Sequence, residues 1–416
     1  MKEGRNLEFK REITNSFLKT VSAFANFSGG KILFGVDDDG TPVGVSEPER
    51  VRLDIENKIN DSINPKPDYS ININRKTGVI TIAVSEGKFK PYFYRGKAYR
   101  RSDTATIEVD QLELKRLALE GSNLYYEGLS CGAIEPTFDY FEKKLIKILG
   151  VSRLSEDILR TFGFLGDEKQ YNIAAALFAD ENKFSGIDIA KFGNSLSEIM
   201  DRETHSGISI LQQYDMAVSM YKRYYQYEKI DGIERKTVDI IPEMAFREAV
   251  ANALVHRTWD VNSHIRISMF ADRIEIASPG GLPKGLTKEE YINGYISNLR
   301  NPIIGNVFFR LHLIEMFGTG IKRIQEAYSG ATRQPSFDVT ENAVFVSLPC
   351  LTTTYEITTA NKKVMEVLES GMRLSSSEIA TRLNWSKSKT IRALNTLHDR
   401  GYIQKNGNGR GTTYGR

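Results

Sequence analysis

Between Phe17 and Phe27 apolar side chains recur at helical spacing (Phe17, Leu18, Val21, Phe24, Ala25), which predicts a helix with one buried face. Gly29-Gly30 ends it, because glycine tolerates the positive φ of a helix C-terminus. Lys31–Val36 then reads as a buried strand and Asp37–Gly40 as a turn. Ile71–Ile73 and Val79–Val84 alternate as strands, and Gln111–Leu119 closes this mixed unit as a helix. From 119 to 240 the pattern is weaker. Tyr140–Leu149 and Asn172–Asp180 have helical or strand character, a polar break follows near Glu181–Ser185, and Asp215–Tyr227 predicts a Tyr-rich helix. A strong helix is expected over Glu243–His256. Strands Ile265–Phe270 and Arg273–Ala277 should pair across the tight Ala271-Asp272 turn, with a loop at Pro279–Pro283. Cys350–Asn361, threonine-rich and without an apolar period, predicts a linker.

The last segment has the plan of a winged helix-turn-helix. Lys363–Leu368 is a first helix, with Val364, Val367 and Leu368 inward. Ser375 with Glu378 forms a capping box that opens the helix Ser376–Leu383. Asn384-Trp385 is the turn. Ser386 caps a helix over Lys387–Arg400, whose inward residues are Ile391, Leu394 and Leu397, and Gly401 ends it. Tyr402-Ile403 and Thr412–Tyr414 then form a hairpin wing. Ser386, Lys387, Ser388, Lys389, Thr390 and Arg392 lie at the N-terminal end of the second helix of the motif, the end that meets base edges in DNA. Lys405 and Arg410 lie in the wing, within reach of backbone or minor groove. The alternative is a winged helix used for protein contact.

Charge alone decides little: 56 basic and 53 acidic residues leave a net charge of +3, so the placement of cations matters more than their number. Hydrophobic residues at 40% and charged residues at 26% describe an ordinary globular chain, and 416 residues suffice for two to four domains. Cys131 and Cys350 stand far apart, without metal-ligand spacing or a disulfide framework, as expected of a reducing cytoplasm. The charged start MKEGRNLEFKRE is not expected to be a signal peptide, and no apolar run predicts a membrane span. His205, His264, His312 and His398 show no metal spacing.

Four ordered blocks in the first 118 residues carry a resemblance: Glu3-Gly-Arg-Asn-Leu-Glu8-Phe-Lys10, Val21–Gly30, Phe34-Gly-Val-Asp-Asp38 and Lys90–Arg101. Together they resemble the Schlafen AlbA-like domain, an α/β nucleic-acid-binding module. Lys88, Lys90, Arg95, Lys97, Arg100 and Arg101, interleaved with Phe89, Tyr92, Tyr94 and Tyr99, fit that chemistry: cations for phosphates, rings for bases. An ordinary hairpin with solvated lysines is the competing reading. In Schlafen ribonucleases three carboxylates form a metal-dependent site. The resemblance puts them at Glu3, Glu8 and Asp38, with Asp37 the neighbouring alternative, where they would hold Mg²⁺ or Mn²⁺. Glu8 paired simply with Lys10 or Arg11 is the other expectation.

Phe246–Arg257, Asp272–Pro283, Arg300-Asn-Pro302 and Gly318–Arg323 are similar to the region that follows this domain in RecG-like transcriptional regulators. No Gly-x-x-x-x-Gly-Lys-Ser/Thr loop or motor motif set supports helicase activity. The region resembles a divergent GHKL ATPase fold, an α/β sandwich. In that fold a Glu-x-x-x-Asn helix works on water and ligates Mg²⁺; the matching residues are Glu248 and Asn252, one turn apart on a helix face. Gly280 and Gly281 stand where the adenine box should be, and Gly318 and Gly320 where backbone approaches phosphate. The aspartate that grips the adenine amino group is replaced by Ser278 or Pro279. A buried polar network of Glu248, Asn252 and His256 is the alternative.

The expected class is therefore an α+β multidomain chain. It comprises a Schlafen AlbA-like domain at 1–118, a helical and mixed connecting region at 119–240, a divergent GHKL-like domain at 241–350 and a winged helix-turn-helix at 358–416. The expected function is a cytoplasmic, homodimeric DNA-binding transcriptional regulator that senses nucleotide and makes no membrane contact, with DNA, and RNA for the N-terminal domain, as partners. The alternative is a metal-dependent nuclease, gated by ATP with Mg²⁺ or Mn²⁺.

Overall fold

The helix Phe17–Asn26 is closed to solvent around almost its whole circumference. Two of its polar members, Ser22 and Asn26, are satisfied by one neighbour. Ser22 Oγ and Asn26 Nδ2 donate to the Tyr92 carbonyl at 2.7 and 2.9 Å, and Asn26 Oδ1 accepts from the Tyr92 N–H at 2.7 Å. A buried polar group without a partner is costly, so these bonds allow the helix to lie inside the domain. The computed structural model describes residues 2–132, 135–166, 169–193, 195–232, 234–283, 285–294, 298–315, 318–351, 359–368, 372–399, 402–407 and 409–415. The chain divides into two units, 1–129 and 130–416.

In the first unit the buried helix packs on a four-stranded sheet. Leu7–Lys10 runs parallel to Gly30–Phe34, which pairs antiparallel with Val79–Val84, itself beside Tyr69–Asn74. The Phe17 and Phe34 rings meet edge to face at 5.2 Å. A hairpin, Tyr99–Ser102 with Ala105–Glu108, also lies on the buried helix, where Thr20 and Thr106 share a 3.0 Å hydrogen bond. The expected helix after residue 111 forms as Gln111–Gly121 behind an Asp110/Glu113 capping box. Elements that escaped the pattern reading include the strands Leu7–Lys10 and Ala105–Glu108, and the helix Pro48–Ser62, which buries only Ile55 and Ile59.

The second unit contains a six-stranded sheet in the order Ile199–His205, Ile187–Phe192, Ile265–Met269, Arg273–Pro279, Ala343–Pro349, Ser336–Val339. All neighbours are antiparallel except Ile187–Phe192 with Ile265–Met269. Its first two strands fall in the stretch that sequence left as a connecting region, so the central fold draws on chain well ahead of residue 241. Ile210–Tyr225 and Glu243–His256 pack together, with the Tyr221 and Phe246 rings stacked at 4.6 Å. The second of these helices also packs on strand Arg273–Pro279 and on helix Gly320–Ala327.

The terminal part of this unit has helices Thr359–Val367, Ser376–Leu383 and Lys387–Asp399 over a sheet ordered Arg373–Ser375, Thr413–Gly415, Gln404–Asn406. The Ser375/Glu378 capping box is formed, and Asn384 turns the chain in the left-handed conformation. The wing strand starts two residues later than expected, at Gln404, and Ile403 joins the core. Residues 352–358 of the expected linker, with 400–401 at the expected helix end, lie outside the described residues. The architecture is mixed α+β throughout, and no described helix is long and apolar enough to cross a membrane.

Candidate nucleic-acid interface and nucleotide cleft

In the helix Lys387–Asp399 the inward phase is set by Ala393, Leu394 and Leu397. Counting back one helical turn from Ala393 and Leu394 puts residue 390 on the same face. Thr390 is accordingly buried, its hydroxyl donating to the Ser386 carbonyl at 3.2 Å. This corrects the expectation that Thr390 faces DNA. Ile391, expected in the core, is turned out to solvent. Ser386, Lys387, Lys389 and Arg392 are exposed as expected. Ser386 Oγ accepts from the Lys389 N–H at 3.4 Å and so caps the helix. The Lys389 ammonium lies 4.4 Å from the Trp385 ring centroid, a cation–π contact that steadies it at the helix start. Lys405 is exposed on its wing strand, and Arg410 belongs to the short turn Gly409–Gly411.

The basic stretch of the first unit has a different fate. Lys90 is buried, its ammonium clasped by Glu86 at 2.5 Å and Glu120 at 2.6 Å. Arg101 is buried too, and its guanidinium donates to Glu8, to Thr106 Oγ1 at 2.9 Å and to the Gly4 carbonyl at 3.1 Å. Neither can meet a phosphate from these positions, which corrects the expectation for both. Arg100 pairs with Glu113 at 3.2 Å, and the exposed Lys97 with Glu108 at 2.7 Å. Tyr92, Tyr94 and Tyr99 are core residues. Lys88 and Phe89 remain exposed.

The acidic trio is dispersed among partners. Glu3 accepts the Phe9 N–H at 2.7 Å. Glu8 is buried between Lys10, at 2.6 Å, and Arg101. Asp38 is exposed in its turn, and the neighbouring Asp37 lies 3.4 Å from Arg11. Among the described residues no group of three or more His, Cys, Asp or Glu is placed to hold a metal ion.

In the second unit the expected convergence appears. Glu248, Asn252, Gly280, Gly281, Gly318 and Gly320 line one cleft of about 960 Å³, counting its open mouth. Glu248 Oε1 accepts from Asn252 Nδ2 at 3.4 Å, and its other oxygen lies 3.6 Å from Arg323. Burial pushes the Glu248 carboxyl above its usual range, while Arg323 and Asn252 pull it back. Burial, with the Arg300 guanidinium nearby, pushes His256 down to about 4, and burial lifts Tyr291 to about 12; both line the cleft as neutral groups at pH 7. A Cβ on Gly320 would stand 2.5 Å from the Glu248 carboxylate and 2.8 Å from the Asn252 amide, so a larger residue there would push this pair aside. Gly280, at φ 100°, would collide with Thr258. Ser278, where an adenine-gripping aspartate is expected, donates its hydroxyl to the Ala253 carbonyl at 3.0 Å.

Residues 3–110 match the family model "Schlafen, AlbA_2", 262–348 match "Putative ATP-dependent DNA helicase recG C-terminal", an HATPase model, and 363–407 match the "IclR helix-turn-helix domain". The chain unites a Schlafen AlbA_2 domain, a RecG-type HATPase domain and an IclR-type helix-turn-helix. The AlbA_2 and helix-turn-helix domains point to nucleic-acid binding, and the HATPase domain to nucleotide binding. The HATPase match begins after the helix that carries Glu248 and Asn252, yet that helix forms one wall of the cleft. The DIP2311 protein from Corynebacterium diphtheriae shares the fold across 98% of this chain and 91% of its own, at 19% identity and a TM-score of 0.50. The N-terminal domain of a RecG-related protein from Nitrosomonas europaea is 27% identical over 24% of this chain and 78% of its own, with a TM-score of 0.20. No curated protein matches. Sequence reading missed three features of these sites: outward Ile391, Asn395 on the same exposed face, and Glu315 beside Glu248 at the cleft. The signal for the first two was the register of Leu394 and Leu397, which fixes the opposite face.

Proposed function

We propose that the chain is a DNA-binding transcriptional regulator, acting as a cytoplasmic homodimer, whose HATPase cleft senses a nucleotide. The observation that carries the reading is the exposed N-terminal end of helix Lys387–Asp399, where Lys387, Lys389 and Arg392 stand over a closed core. Such a helix end presents cations to phosphates and side chains to base edges. Lys405, exposed in the wing, adds contacts to the backbone, and the side chain of Arg410 lies outside the described residues. Lys88 and Lys97 are the N-terminal domain's contribution to a DNA or RNA surface. The test is duplex affinity of the full chain against a Lys387→Ala/Lys389→Ala/Arg392→Ala variant; unchanged affinity would overturn the reading.

The cleft fits a nucleotide in its phosphate end better than in its base end. Gly318 and Gly320, at the start of helix Gly320–Ala327, allow backbone N–H groups to approach an anion. Asn252 would ligate Mg²⁺, and Glu248, raised by burial, would orient water. A bound nucleotide supplies phosphate charge and a hydrolysable anhydride. The base end lacks the aspartate, and Ser278 has its one proton committed to Ala253, which favours binding over tight base selection. At a hundredfold excess over Kd, ATP should stabilise the fold by about 2.7 kcal/mol. Asn252→Ala should lose that stabilisation. Calorimetry without heat from ATP or ADP at millimolar concentration would make the cleft structural. A nuclease reading is not favoured: both Glu8 oxygens are engaged by cations, so the metal would have to displace them.

A further inference from the structure

The helix Lys387–Asp399 buries Thr390, Ala393, Leu394 and Leu397, which leaves Ser388, Ile391, Arg392 and Asn395 on the opposite side at spacings of three, four and seven. Three of the four suit a solvated face, and Ile391 does not. Ile391 is a branched aliphatic, 37% exposed, set between a cation and an amide. Arginine offers a planar fork of donors, asparagine a donor beside an acceptor, and an aliphatic group neither. Those are the three kinds of complement that the major groove asks for: guanine shows two acceptors, adenine an acceptor and a donor, thymine a methyl group.

We propose that Ile391, Arg392 and Asn395 form a base-reading face that selects duplex DNA, Arg392 taking a guanine, Asn395 an adenine and Ile391 a thymine methyl. This rests on the DNA-binding reading above and adds the sequence it selects. Lys387 at the helix start, Lys389 held against Trp385 and Lys405 on the wing supply phosphate contacts around the face, and these carry no base information. Docking by its N-terminal half brings residues 391 and 392 deepest into the groove, with 395 one turn behind. The guanine and thymine should therefore be adjacent and the adenine at the edge of the site.

The test is selection from randomised duplexes by the full-length protein, wild type and Ile391→Ala, Arg392→Ala and Asn395→Ala separately. The wild type should enrich a short site with a guanine, a thymine and an adenine. Arg392→Ala and Asn395→Ala should each lose preference at one position only, by roughly 5- to 150-fold. Replacing thymine by uracil in the enriched site removes the methyl and should weaken the wild type about fourfold, but leave Ile391→Ala unchanged. All three residues are surface residues, so melting temperatures should match the wild type. Tight binding with no enriched bases, or an enriched site that no variant alters, overturns the base-reading face while leaving DNA binding intact. Affinity that also survives the triple cation variant overturns the DNA-binding reading itself.

Discussion

Two stretches of this chain look alike in sequence and end in opposite places. Lys88–Arg101 and Lys387–Arg392 both mix cations with aromatic or hydroxyl residues, and both suggest a phosphate-binding surface. In the first, Lys90 and Arg101 are drawn inside by carboxylates from distant segments, Glu120 and Glu8. In the second, the helix start holds no acidic residue, and Lys389 leans instead on Trp385, which leaves its charge available. The lesson concerns partners: a cation's role depends on whether the fold brings a carboxylate to it, and local composition does not reveal that.

The sharpest way to break the comparison is Glu8→Ala. It would leave the Arg101 guanidinium buried without its anion and should destabilise the protein by about 3–5 kcal/mol, read from the urea midpoint. A loss under 1 kcal/mol would mean Arg101 is available for nucleic acid after all. Next in size is His256, a partly buried titratable group in the cleft. Its folded pKa of about 4 lies below the unfolded value of about 6.5, so the unfolded chain takes up the proton first as pH falls. The stability it contributes is complete above about pH 6.5 and is lost between about 6.5 and 4, up to about 3 kcal/mol. His256→Gln should flatten that part of the stability–pH curve; an unchanged curve refutes the burial argument. On the DNA side, removing Lys387, Lys389 and Arg392 together should reduce the salt slope of binding by about 0.9 for each phosphate contact, measured by titration at several salt concentrations. The smallest effect belongs to Lys88→Ala. Stability should change by less than about 0.5 kcal/mol, while RNA or DNA affinity of the N-terminal domain falls; an equal loss on Lys90→Ala without destabilisation would erase the distinction between the two stretches.

Much was legible where local physics is strong. The Ser375/Glu378 box and the apolar period of Phe17–Asn26 came from residue order, and the resemblance to the GHKL fold singled out Glu248, Asn252 and the four glycines that line one cleft. What was hidden depends on tertiary context. Ile199–His205 is an edge strand with mostly exposed side chains, so it lacks the apolar alternation that would announce it. Pro48–Ser62 buries only two residues. Thr390 and Ile391 were exchanged because an isoleucine suggests a core and a threonine a surface, whereas the phase of Leu394 and Leu397 decides otherwise. The ion pairs of Glu8 and Lys90 span 93 and 30 residues to Arg101 and Glu120, beyond any local pattern.

The parallel pairing of Ile187–Phe192 with Ile265–Met269 has a consequence in time. Ile187 faces Ile265, 78 residues further along the chain. At roughly 5–20 residues per second of synthesis, on the order of 4–16 s pass before that partner is made. During this interval the strand Ile187–Phe192 has one edge paired with Ile199–His205 and one edge open, and it carries Ile187 and Ile189, destined for the core. An unpaired apolar edge is a template for another chain. The nascent protein therefore passes through a window in which a chaperone, or neighbouring chains on the same message, compete for the place that Ile265–Met269 will take.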